Sequence, residues 1–162
     1  MGMVMFHDLF PEVAKRETRV AMIPPGNPVP PDTYAFVDFY CVDPGCHCRR
    51  VMINVLVEGT GRHLATINHA FDASNADDVL GQTFLDPLNT QTRWSDPLLR
   101  LFLELLQDPD YSARLMRHYR LVKDAVDDPA NPVHRRLAGV RAERKRAPRP
   151  WGRPVGRRRG RR

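Results

Sequence analysis

All three cysteines of this chain fall within one short segment, Cys41-Val42-Asp43-Pro44-Gly45-Cys46-His47-Cys48-Arg49-Arg50. Two strand-like runs flank it, so any fold must bring these thiols to one place at the end of a sheet. The spacing C-x4-C-x-C, with an Asp-Pro-Gly turn inside it, lets three thiolates fold around a single ion. Structural zinc takes four Cys or His ligands, and Cys3His is one of its usual sets. Three thiolates, a neutral imidazole and Zn²⁺ leave one net negative charge, which Arg49 and Arg50 are placed to offset. Two other readings stand beside the metal. The thiols could form a redox-active pair, or Cys41 and Cys48 could be half-buried strand residues with Cys46 incidental. An odd cysteine count without an export signal argues against a disulfide framework.

The flanks set the fold class. Tyr34 to Cys41 is aromatic and β-branched, as strands are. Val51, Ile53, Val55 and Val57 alternate with Arg50, Met52, Asn54 and Leu56, a half-buried strand at period two. Gly59-Thr60-Gly61 signals a turn, and Leu64 to Phe71 returns. Three antiparallel strands are expected, with His69 near Arg50 and so near Cys48. Upstream, Phe6, Leu9, Phe10, Val13 and Ala14 allow one short helix with Pro11 in its first turn, and Val20 to Ile23 a brief strand. A proline-rich connector over 24–31 follows. Residues 72–94 read as loop with one helical turn at Asn75–Leu80, where Asp72, Asp77 and Asp78 form a solvated face or a helix start.

Two helices come next. Ser95 is expected to cap the first, whose apolar face includes Leu98, Leu101, Phe102 and Leu105. Asp108 caps the second, with Pro109 at its first position. Its stripe is Tyr111, Leu115, Tyr119 and Val122, and His118 lies within about 20° of Tyr111 at 100° per residue, so it faces inward. An inward histidine needs partners, which ranks His118 ahead of His69 and His47 as the fourth ligand. The bland alternative is a buried histidine bonded to other protein groups.

Several segments quoted together resemble the signature of a group of uncharacterised bacterial proteins. They are Phe39-Tyr40-Cys41-x-Asp43-Pro44-x-Cys46-x-Cys48-Arg49-Arg50-Val51, Leu85-Asp86-Pro87-Leu88-Asn89-Thr90-Gln91-Thr92, and Asp110-Tyr111-x-x-Arg114-Leu115-x-Arg117-His118-Tyr119-x-x-x-Lys123. The resemblance covers about 34–123. It implies the α+β architecture and a pairing of Cys41, Cys46 and Cys48 with His118, and it implies no activity. The chain departs from the group at His47, where the group usually has Asp, and at His69, where it tends to have no histidine.

Charge divides the chain. Residues 135–162 hold 13 of the 25 Lys/Arg and one of the 19 acids, leaving residues 1–134 with 12 basic and 18 acidic residues. The composition of 135–162 predicts a disordered basic tail. There Arg144, Arg146, Arg149, Arg153, Arg157, Arg158, Arg159, Arg161 and Arg162, with Trp151 to stack on bases, suit sequence-independent contact with RNA or DNA. A solubilising extension is the alternative.

With 42% apolar residues, the chain can bury a core. It has no apolar run of membrane-spanning length and no signal peptide or myristoylation pattern, which points to the cytoplasm. Phosphate-binding glycine loops, G-x-S-x-G and H-E-x-x-H are absent. Crowded thiols favour a metal over a single activated nucleophile. The expectation is thus an α+β domain over 1–134, a small antiparallel sheet packed on a C-terminal helical hairpin and clasped by Zn²⁺. Its function is that of a zinc-binding module contacting nucleic acid through the tail. The alternatives are an adaptor for an unidentified protein, or an enzyme with an open metal position.

Overall fold

Alternation of Tyr34, Phe36, Asp38 and Tyr40 with smaller or half-exposed neighbours produces the central strand β3, Asp32–Cys41, with one face buried and the other half-exposed. In the computed structural model, which describes residues 2–146, β3 pairs antiparallel with β4, Arg50–Val57, and β4 with β5, His63–Ala70. The β4–β5 turn closes where Val57 N donates to Arg62 O at 2.9 Å, with Gly61 at φ +66° supplying a conformation that side-chain-bearing residues resist. The expected three strands are therefore present.

The sheet is larger than expected. It has six strands in the order β1-β3-β4-β5-β6, with β2 also on β3. Strand β1 is Met3–Met5, β2 is Arg19–Ile23 and β6 is Thr83–Leu85. β1 and β6 are three residues each, too short for a period-two pattern to declare itself. The expected turn at Asn75–Leu80 is instead a 3₁₀ turn at Ala73–Asn75.

The N-terminal helix is broken in two, α1 over Phe6–Leu9 and α2 over Pro11–Glu17. Pro11 opens α2 because its missing N–H costs nothing in a first turn. The helical hairpin is α3, Ser95–Leu105, and α4, Pro109–Asp127. Asp108 caps α4 as expected, accepting from Asp110 N at 3.0 Å. Ser95 does not cap α3: it is the first helical residue, and its hydroxyl donates to Leu64 O at 3.0 Å, tying the helix to β5.

These helices lie on one face of the sheet. Phe36 stacks on Phe102 of α3, Tyr40 meets Tyr119 of α4 edge-on, and Phe6 of α1 sits against Tyr40. No helix among the described residues is long and apolar enough to cross a membrane.

The expected boundary at 134 is corrected. Residues His134–Arg146 form a further helix, α5, whose Leu137 is fully buried in the core and whose Arg136 donates to Leu9 O at 3.1 Å. Arginine-rich composition hid one apolar anchor. Of the nucleic-acid residues expected above, Arg144 and Arg146 belong to α5, while Arg149, Trp151, Arg153, Arg157, Arg158, Arg159, Arg161 and Arg162 lie outside the described residues. Leu137→Ala is expected to cost about 2–5 kcal/mol, the range for a leucine truncated in a core. Urea unfolding checks it, and an unchanged midpoint would detach α5 from the core.

Candidate metal centre

The cysteine loop is built from the two strand ends inward. As β3 ends, Val42 N donates to Gly2 O at 2.8 Å and Gly2 N donates to the Asp43 carboxylate at 3.1 and 3.2 Å, fastening the loop to the N-terminal segment. Cys46 N then donates to Asp43 O at 3.2 Å across Gly45, which has φ +71°, so the chain reverses within Asp43–Cys46. Arg50 N donates to Cys48 O at 2.7 Å as β4 begins. The result is convergence: the sulfurs of Cys41, Cys46 and Cys48 all lie within 4.8 Å of one another. Cys41 is buried and the other two are half-buried.

Helix α4 closes the loop from above. Lys123 Nζ donates to Cys46 O at 2.9 Å and sits over the Tyr119 ring. Tyr119 was expected in the core stripe and Lys123 was assigned no role at the loop; the four-residue spacing that puts both on one helical face was the available signal. Arg49 and Arg50 do not serve the loop as expected. Arg49 pairs with Asp72, and Arg50 donates to Asn75 O while lying over Phe84. Asp77 caps its own turn, accepting from Val79 N and Leu80 N at 2.9 and 2.8 Å.

The thiols differ in acidity. Burial pushes Cys48 up to about 12, helped by hydrogen bonding to Cys46 and the nearness of Cys41. Burial also raises Cys41. Cys46 is lowered by hydrogen bonds from the Cys48 backbone and thiol, with Lys123 contributing positive charge. Cys46 is thus the easiest of the three thiols to ionise, and each further thiolate is opposed by its neighbours unless a cation lies among them.

His118 is elsewhere. It faces inward as the helical spacing required, yet Nδ1 lies 2.7 Å from Asp38 Oδ2 and Nε2 lies 2.8 Å from Glu17 Oε2, with the ring stacked 3.8 Å from Phe6. Both nitrogens are engaged by carboxylates, and turning Nδ1 to a metal would take a partner from Asp38, which is buried. The expectation that His118 completes the cysteine set is therefore corrected. The missed signal was Asp38, which shares the buried parity of Tyr34, Phe36 and Tyr40 on β3. His69 sits opposite Val51 as the register required, but bonds Thr83 Oγ1 at 2.8 Å. His47 is exposed. Among the described residues the acid nearest a thiol of the cluster is Asp43, with Oδ2 3.7 Å from Cys41 Sγ.

Comparison with protein-family models, curated proteins and solved structures finds no match.

His118→Ala is expected to destabilise the fold by about 1–3 kcal/mol, the cost of leaving a buried hydrogen-bonding partner unsatisfied, while leaving metal content unchanged. Loss of metal at unchanged stability would return His118 to the cysteines. Partial burial opposes ionisation of Glu17, but hydrogen bonds and charge from His118 and Arg117 outweigh it and hold its carboxyl below the ordinary 4.5. A depressed carboxyl contributes stability above its unfolded value and loses it as pH falls through the folded one. Glu17→Gln should therefore flatten the fall in melting temperature below about pH 4.5. An acid limb identical to wild type would deny Glu17 that role.

Proposed function

We propose that the chain is a zinc-stabilised module in which Cys41, Cys46 and Cys48 hold Zn²⁺ as thiolates, clasping the end of β3 to the start of β4 beneath α4. The observation that carries this is the approach of three sulfurs to within 4.8 Å of one another. Tetrahedral zinc with Zn–S bonds of about 2.3 Å sets its sulfurs about 3.8 Å apart, so a small inward rotation of the side chains suffices. Water or the Asp43 carboxylate completes the tetrahedron. Fastening of the loop to Gly2 through Asp43 and to α4 through Lys123 supports a structural role over a catalytic one.

The basic C-terminal residues extend the reading. Residues 147–162 contain seven arginines and no acid. Such a segment neutralises phosphates without reading bases, and Trp151 adds a stacking surface. Since α5 belongs to the domain, the deletion that tests this contact starts at 147, not 135. Removing 147–162 should abolish micromolar, salt-sensitive binding to single-stranded RNA or DNA in a mobility-shift assay. Binding that survives the deletion would move the contact onto the domain, and no binding by the intact chain at low salt would favour the adaptor reading.

For the metal, one zinc per chain is expected by elemental mass spectrometry, lost in Cys46→Ser. Structural zinc in small peptides is worth about 10–16 kcal/mol, so chelation or Cys46→Ser should lower the melting temperature sharply. Lys123→Met should weaken zinc binding by about tenfold, as removal of outer-shell partners does. An unchanged melt after verified metal removal would remove the structural role.

A further inference from the structure

Thiols that can share one ion can also bond to one another. The sulfurs of Cys41, Cys46 and Cys48 lie within 4.8 Å of one another, and a disulfide sets its sulfurs about 2 Å apart, so oxidation needs only a short side-chain movement. Access to the three is unequal. Cys41 is 1% exposed. Cys46 is half-buried and stands among exposed neighbours, Pro44, Gly45 and His47. Cys48 is also half-buried, but the chain that follows it is fastened down through Arg49 to Asp72 and through Arg50 to Asn75 O. A small solute therefore meets Cys46 first.

We infer that the cluster is a peroxide-responsive switch on its own metal: Cys46 is oxidised first, Cys41 captures it as a disulfide, and the ion leaves. This rests on the zinc reading proposed above. In the first step the Cys46 thiolate attacks one oxygen of hydrogen peroxide, so an S–O bond forms as the O–O bond breaks. The sulfur gives two electrons to the peroxide, and hydroxide departs and takes a proton from solvent. In the second step the Cys41 thiolate attacks the sulfur of that sulfenic acid. An S–S bond forms, the S–O bond breaks, and a second hydroxide departs. Two thiolates and one peroxide thus become one disulfide and two hydroxides.

Placement of the thiols selects Cys41 as the resolving partner. Cys46 and Cys48 are separated by a single residue, and a ring so small strains the bond. Cys41 instead lies across the turn that Cys46 N closes on Asp43 O. Its burial keeps peroxide away while leaving it beside Cys46. The sulfenic acid is therefore captured before a second peroxide carries it to the irreversible sulfinic acid. An odd number of thiols makes the response complete, because one disulfide leaves Cys48 as the only sulfur ligand, too few to retain zinc. The link changes as well: zinc joins the end of β3 to Cys48 beside β4, whereas a Cys41–Cys46 disulfide closes only the first half of the loop.

The test is titration of the zinc-loaded full chain with hydrogen peroxide, reading released zinc with a chromogenic indicator and mapping the thiols by mass spectrometry. Loss of one zinc per chain is expected in step with a Cys41–Cys46 disulfide, with a melting temperature lowered to that of Cys46→Ser. Dithiothreitol and added zinc should restore both. Dimedone present at early times should mark Cys46 as the first sulfur oxidised, a measurement that needs no variant to fold. Zinc that is bound beforehand and stays bound under excess peroxide overturns the switch and leaves the metal reading standing. A chain that holds no zinc before treatment removes the metal reading and the switch with it. Sulfinic acid in place of a disulfide, or a disulfide that includes Cys48, also overturns the switch.

Discussion

A single carboxylate, Asp38, connects the layers of this protein. It lies 5% exposed, and its Oδ2 is 2.8 Å from Tyr40 Oη on its own strand and 2.7 Å from His118 Nδ1 on α4. His118 passes the connection on to Glu17 at the end of α2, where Arg117 adds a further pairing. Strand, long helix and N-terminal helix thus meet at one polar node inside an aromatic core. Such a node is costly to bury unless every member is satisfied, and that cost makes it selective: a partly formed version is worse than an apolar one. It sets the register of α4 against β3, since a slip by one residue would bring Arg117 or Tyr119 to Asp38. Lys123 lies five residues further along, about 7.5 Å at helical rise, and that distance carries it to the cysteine loop.

How much of this was legible follows from which forces act locally. β3, β4 and β5 could be read because period-two alternation over eight to ten residues is a strong signal. The inward direction of His118 could be read from helical spacing alone. Its partner could not, because the choice between three thiols and two carboxylates depends on where α4 docks, a tertiary fact. Asp38 was visible on the buried face of β3, but a charged residue inside an aromatic strand reads as an exception until its partner is known. The node and the cysteine loop share β3, Tyr40 serving one and Cys41 the other, and adjacent strand residues point to opposite faces.

That parity also explains the sheet's two characters. Residues of β3 that face the helices are aromatic or paired, whereas those facing away are Ala35, Val37 and Phe39. Alternation ends at the close of β3, where Tyr40, Cys41 and Val42 are all buried, and the thiol cluster lies at that end of the sheet beside Tyr119 and Lys123 of α4. The histidine of α4's core stripe, His118, is held instead by Asp38 and Glu17. Contact between loop and helix is left to the long side chain of Lys123, which ends on a carbonyl at the loop's rim.

The loop's energetics complete the argument. Ladder pairing between β3 and β4 extends no further than Phe39 and Met52, so over residues 40–51 the two strands are not joined to each other, although Tyr40 and Cys41 pair with β1 and Arg50 and Val51 with β5. Its fixed points are the Asp43–Cys46 turn, the Val42 and Asp43 contacts with Gly2, the Arg49 contacts with Asp72 and Phe71, and the Lys123 contact. Closing a loop of this length costs conformational entropy that these few polar contacts, worth about 1 kcal/mol each, offset only in part. On the zinc reading proposed above, an ion bound by three thiolates would supply far more than the deficit, and only when Cys41, Cys46 and Cys48 are brought to one point. Such an ion would do for this connection what a tight turn does for the β4–β5 hairpin, which closes at Gly61 with backbone hydrogen bonds. On that reading, the convergence of its thiols is what would make a long, proline-containing connection between the two central strands tolerable in this sheet.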